Sequence, residues 1–262
     1  MKAAITTILI ALILVSAGCK KDQDVNLAPG ERGTDKEMYE RAMKYIRKDP
    51  EKARLLFKEI MQVYPASVYS KKAKIGIADS YFKQKDAASL VVASAEYQEY
   101  VNLYPQSPDA VYAKFQIGMC YKNQMKQPGR DQSNTHATIK AFENLVKQYP
   151  GTEEAEQAKE IIAEARQTLA THYFRIGYYN YKYNAYRGAV ARFKQVLDDY
   201  PDFKEMDKLF YYTGKSYYAL KEFDSALSFF QQVVTQFPQS KHAKKASRLI
   251  QKIGKETSQN VE

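Results

Sequence analysis

Residues Ala189–Pro201, AVARFKQVLDDYP, carry a pattern that appears five times along the chain. Counted back from each Tyr-Pro or Phe-Pro, the position twelve earlier is Ala53, Ala93, Thr138, Ala189 or Ala226. The position eight earlier is always aromatic: Phe57, Tyr97, Phe142, Phe193 or Phe230. Counted from the small residue, the apolar positions fall at 0, +4, +7, +8 and +11, which is one stripe of an α-helix and not a face of a strand. Each copy predicts one amphipathic helix. Pro65, Pro105, Pro150, Pro201 and Pro238 end it, because proline cannot continue the hydrogen-bond ladder and disfavours helix in the residue before it.

The prolines are 40, 45, 51 and 37 residues apart, room for two helices per unit. Such a period, with a small residue late in a first helix and alanine early in a second, points to tetratricopeptide repeats. The last unit is clearest: Gly214 and Ala226 are small where paired helices approach, and Phe210, Tyr217 and Phe230 fill the space around them. The expected fold is all-α, a solenoid of five helix pairs in two modules, 34–150 and 151–256. Glu153 to Tyr183 contains no proline and the spacing there is the longest, so one long helix is predicted to join the modules. Ser240 is expected to cap a closing helix from Lys241 to about Lys252, with Thr257 to Glu262 frayed.

Further helix starts are marked by Thr34 with Glu37, Asp49 with Pro50, Ser67, Asp86, Ser107 with Pro108, and Thr152 followed by Glu153 and Glu154. Lys122 to Asn134, KNQMKQPGRDQSN, interrupts the third unit; Pro128-Gly129 makes it a loop, and Thr135 is expected to cap the next helix.

At the N-terminus a basic residue precedes the apolar run Ala3 to Ala17, which is short for a membrane span. Residues 1–18 therefore predict an export signal. The segment Ser16-Ala17-Gly18-Cys19 looks like a bacterial lipobox, with Ser16 where a bulky aliphatic residue is usual. That likeness implies lipid on Cys19, and Lys20 after it implies the outer membrane; the alternative is an ordinary signal peptide cut near Gly18. Residues 19–33, polar and rich in Asp, Asn, Pro and Gly, would form a flexible lipidated tether.

Composition excludes several function classes. The 262 residues include 22 Tyr, 12 Phe and no Trp, and in a helical solenoid most such rings pack between helices. The net charge of +10 favours acidic partners, but the lysines are scattered along helices and no nucleic-acid module is present. His136, His172 and His242 lie in different units without metal-ligand spacing, and Cys120 sits on an apolar helix face. There is no phosphate-cradling loop, nucleophile motif or paired-carboxylate signature, so no catalytic residue, cofactor or metal is expected. A scaffold tied to a membrane is the physical reading that remains. Tyr173 to Tyr186, the densest run of tyrosine, is expected to be mostly core between repeats.

The whole chain after the signal resembles the BamD family, tetratricopeptide lipoproteins of the outer-membrane β-barrel assembly machinery. In the first module the likeness rests on Tyr64-Pro65, Tyr69-Ser70 and Tyr81-Phe82-Lys83, and in the inserted loop on Arg130-Asp131-Gln132, Thr135, Phe142 and Tyr149-Pro150. In the second it rests on Gly177, Tyr186, Ala189, Arg192-Phe193, Val196 and Tyr200-Pro201-Asp202, while Thr138 departs from the usual alanine. The resemblance implies a periplasm-facing outer-membrane factor that helps unfolded barrel proteins reach the insertase BamA. It implies that Arg192 contacts a periplasmic domain of BamA, with other BAM lipoproteins as further partners. C-terminal segments of unfolded client proteins would be recognised by the first module, where Tyr64 and Tyr69 are the candidate contacts. Another tetratricopeptide lipoprotein, a type IV pilus pilotin or a Tol-Pal associated coordinator, would share anchor and repeats but should lack the inserted loop and long helix.

Overall fold

The computed structural model describes residues 33–259, so Cys19, the signal and nearly all of the tether lie outside the described residues. Within them the chain forms eleven α-helices and no strand. They are α1 (Asp35–Tyr45), α2 (Pro50–Val63), α3 (Val68–Gln84), α4 (Ala87–Leu103), α5 (Asp109–Lys122), α6 (Ser133–Gln148), α7 (Glu153–Lys182), α8 (Tyr186–Asp199), α9 (Met206–Ala219), α10 (Phe223–Gln236) and α11 (Ala243–Gln259). Each packs chiefly on its neighbours in sequence, the contact pattern of a tetratricopeptide solenoid.

Local chemistry sets the helix starts. Thr34 Oγ1 accepts from the Glu37 amide and Glu37 Oε2 accepts from the Thr34 amide, a complete capping box. Asp49, Ser67, Asp86 and Thr152 each accept a first-turn amide as the spacing predicts. Thr135 does not. Helix α6 starts two residues earlier, and Thr135 is a fully buried residue within it whose hydroxyl donates to Gln132 Oε1 at 2.8 Å. The loop is thereby 123–132, and a buried glutamine takes the organising role: Gln132 Nε2 donates to the carbonyls of Gln127 and Arg130, both at 2.9 Å. The C-terminus departs as well. Ser240 accepts from the His242 amide at 3.0 Å, and the helix then runs to Gln259 where fraying from Thr257 is the expectation.

The five recurrent aromatics are fully buried. In the last three pairs a glycine of the first helix faces the ring. A Cβ on Gly118, Gly177 or Gly214 would stand 2.6, 2.7 and 2.8 Å from Phe142, Phe193 and Phe230 respectively, closer than carbon atoms approach. Phe57 also meets a glycine, but from the next pair: a Cβ on Gly76 of α3 would be 2.5 Å from it. In the first two pairs the first helices instead bring fully buried alanines, Ala42 and Ala78, into the clusters that hold Phe57 and Tyr97.

The long helix α7 has 30 residues, about 45 Å at 1.5 Å per residue. Its first half buries Ala155, Ala158 and Ile161 with Phe142 and Leu145 of α6. Its second half buries Ala170 and Phe174 with Phe193 and Val196 of α8. One helix thus closes one hydrophobic cluster and opens the next.

Candidate partner-docking surfaces

The long helix also holds two irregular segments in place. His172 Nδ1 lies 2.6 Å from the carbonyl of Pro128, and Lys122 pairs with Glu164 at 2.9 Å, which fastens the inserted loop to it. On the other side Gln167 donates to the Asp202 carbonyl at 2.6 Å and accepts from the Lys204 amide at 3.0 Å, while Arg166 donates to the Asp199 carbonyl at 2.7 Å. Between these two segments runs an open groove of about 680 Å³ lined by Pro128, Glu164, Gln167, Thr168, Asp202 and Lys204. Its floor is helical side chains and its walls are loop backbone. It is an open trough and not an enclosed cavity.

Arg192 stands exposed on α8, where its Nη1 donates to Gln195 Oε1 at 2.8 Å and no carboxylate of the described residues pairs with it. The close approach at Gly177 seats it: the Arg192 Cβ would be only 3.2 Å from a Cβ there. A guanidinium fixed at its base, and held at its fork only by a neutral amide oxygen, can exchange that bond for a partner's carboxylate in two-point geometry.

Tyr64 and Tyr69 are more deeply committed. Tyr64 closes α2 through its amide, and its hydroxyl donates to the Gly33 carbonyl at 3.0 Å. Tyr69 packs on Tyr39 with ring centroids 5.5 Å apart, and both tyrosines lean on the first core cluster. They are half-buried supports of the first core cluster, whereas Arg192 is exposed on α8. Close by lies a 590 Å³ groove lined by Val68, Lys71, Lys72, Leu103, Tyr104 and Pro105, in which Val68 is 66% and Leu103 56% exposed. Sequence reasoning missed this pair because both sit at helix ends, where the apolar stripe has no visible continuation. The tyrosine run divides similarly. Tyr173, Tyr178 and Tyr181 pack into the core, while Tyr179 and Tyr183 stack on each other at 4.4 Å with 60% and 68% exposure.

Two groups that could do chemistry are shut away. The Cys120 thiol is buried and pushed up to about 12 by desolvation, so it stays protonated at neutral pH. Asp79 is pinned by hydroxyls from Tyr97 and from Tyr112, the latter at 2.9 Å, and burial raises its carboxyl above the ordinary value. Among the described residues no group of three His, Cys, Asp or Glu could hold a metal, and no helix is long and apolar enough to cross a membrane.

A family model described as outer membrane lipoprotein, YfiO, matches residues 31–226, which takes in α1 through α9 and the inserted loop. The chain belongs to the YfiO family. Among curated relatives, an outer membrane protein assembly factor BamD of Rickettsia prowazekii is 26% identical over 94% of this chain and 97% of its own length. A BamD of Caulobacter vibrioides is 28% identical over 54% of this chain, which spans just under half, 46%, of that relative's length. The BamD of Haemophilus influenzae is 22% identical over 74% of this chain and 77% of its own. YfiO membership places the protein with the outer membrane.

Proposed function

We propose that this chain is an outer-membrane protein assembly factor, a lipid-anchored scaffold that faces the periplasm and works without catalysis of its own. The observation that carries the reading is the family match over α1 through α9, joined to the names that its relatives bear. In this reading residues 34–150 and 151–256 act as two modules about α7. The second docks a periplasmic domain of BamA through Arg192, whose fork has no carboxylate partner of its own among the described residues. The first receives C-terminal segments of unfolded β-barrel clients. There the groove beside Val68 and Leu103, with Lys71 and Lys72 on its wall, offers apolar contacts and cations for a chain end, and Tyr64 and Tyr69 are the candidate contacts at the turn between the first two repeats. Cys19 carries the lipid, and other BAM lipoproteins complete the assembly.

The test is affinity capture of the tagged protein from mildly solubilised envelopes, with mass spectrometry of its partners and of its own N-terminus. A BamA-type barrel protein together with an acylated Cys19 is the expected result. Pilus or Tol-Pal components in its place would overturn the assignment. An Arg192→Glu variant should bind the insertase domain at least about tenfold more weakly, as loss of a charge-assisted pair does; unchanged affinity would remove Arg192 from the contact.

A further inference from the structure

The closing helix α11 presents Lys244, Lys245, Arg248, Lys252 and Lys255 to solvent, and all five are exposed. At about 100° per residue they fall within an arc of about 100°, a single straight row roughly 16 Å long. The opposite face buries Ala246 and Ile253 with Leu249 and Ile250 against the last repeat, so the row points outward from the end of the stack. From Lys241 to Gln259 the only acidic residue is Glu256. It accepts from the Tyr218 hydroxyl at 2.9 Å and lies 3.6 Å from Lys252. Lys244, Lys245, Arg248 and Lys255 have no carboxylate partner among the described residues.

This arrangement works against the helix that bears it. Lys244 and Lys245 stand in the first turn, where the helix dipole disfavours cations. Lys244 with Arg248, and Arg248 with Lys252, are like charges four residues apart, which also destabilise. Other helices obey the opposite rule: α7 begins with three glutamates, and α1 with Asp35 and Glu37. A stretch that breaks this local rule over three turns, on a face where only Lys252 touches the rest of the chain, through Glu256 and the Tyr218 ring, is arranged for an external anion.

We infer that the outer face of α11 docks on an anionic membrane surface, with lipid phosphates as its ligand. The complementarity is to a plane: the row is straight and convex, without a concavity to enclose a ligand. Four of its five members are lysines, flexible point charges suited to phosphates spread over a surface, whereas arginine is the residue matched to carboxylate forks. The inference needs only that the chain works beside the outer membrane, which its family supplies, and it is independent of the client and insertase contacts.

The experiment is co-sedimentation of the unacylated chain beginning at Lys20, which keeps all eleven helices, with two kinds of vesicle. One kind contains phosphatidylethanolamine and phosphatidylglycerol in equal parts, the other phosphatidylethanolamine and phosphatidylcholine. Binding should favour the anionic vesicles and weaken as salt rises. It should drop at least about tenfold when Lys244, Lys245, Arg248, Lys252 and Lys255 are all changed to Gln, with no fall in melting temperature. A control variant with Gln at Lys48, Lys58, Lys126, Lys140 and Lys147, also exposed, has the same net charge and should keep most of its binding. Equal binding to both vesicles, no binding to either, or equal loss in the two variants would overturn the proposal. So would a chain that ignores the vesicles and binds poly-glutamate, which would assign the face to an acidic protein.

Discussion

The second and fifth repeats build the same helix pair around the same ring position by different means. In the fifth, Phe230 lies against Gly214, and the fit is steric: no other residue leaves room for the ring. In the second, the small residue is Ala78 and the ring is Tyr97, whose hydroxyl cannot be buried without a partner. Asp79, the next residue after Ala78, accepts from it and from Tyr112 of the following repeat. Burial raises the Asp79 carboxyl, and the two hydroxyls hold it back toward the ionised form. The contrast shows that the repeat prescribes a shape and leaves the chemistry of its core open. A polar core also links one repeat to the next through directed bonds, which an apolar ring cannot do.

The comparison breaks most readily at the ring itself. Phe230→Ala should cost about 3–5 kcal/mol, since the lost burial is compounded by a cavity between two long helices. Gly214→Ala should cost about 1–3 kcal/mol, because its Cβ would meet Phe230 at 2.8 Å and the pair must spread. Ala78→Gly, in the second repeat, should cost only about 0.5–1 kcal/mol, the helix propensity difference. Urea unfolding measures all three; a neutral Gly214→Ala would show that the closeness is not what holds the fifth repeat together.

A smaller effect sharpens the other half. Tyr97→Phe leaves Asp79 with Tyr112 alone and should destabilise by about 1–2 kcal/mol. With Asp79→Ala in a double-mutant cycle the two losses should be strongly non-additive, since each removes the bond between Tyr97 and Asp79. Additive losses would mean that the hydroxyl and the carboxylate are not coupled.

These differences explain which features are legible in the sequence. The apolar stripe at 0, +4, +7, +8 and +11 is local, so it locates the second helix of every pair, and the wide proline spacing locates α7 because proline is a local stop. Capping signals are equally local, and they succeed at Thr34, Asp49, Ser67, Asp86 and Thr152. Thr135 fails because the buried side chain of Gln132, bonded back to its own loop, sets the start of α6. Pairings across the fold are not legible. Tyr112 is 33 residues from Asp79 and His172 is 44 from Pro128, and no spacing rule connects them. Of the candidate site, Arg192 can be placed on an exposed helix face, but whether Tyr64 and Tyr69 are open or packed depends on Gly33 and Tyr39, residues of another helix and its approach.

The smallest expected effect lies at the end of the stack, where the comparison turns on a buried polar ring with no answering bond. His242 is 4% exposed, its ring 4.7 Å from that of Tyr211, and neither ring nitrogen has a hydrogen-bond partner among the described residues. Burial, reinforced by Lys241, Lys245 and Lys208 and opposed by Asp207, holds its pKa below the ordinary 6.5. The unfolded chain therefore takes up this proton at a higher pH than the folded one does. The contribution to stability is complete above about pH 6.5 and is lost as pH falls below that value toward the folded pKa. Urea midpoints of the native chain and of His242→Phe should run parallel from pH 8 to 7 and separate below 6.5, with the native chain the more sensitive to acid. Parallel curves down to pH 5 would mean that the ring finds water or a partner when protonated. The end of the stack would then resemble the second repeat, where every buried polar group is answered, and not the fifth, where shape alone decides.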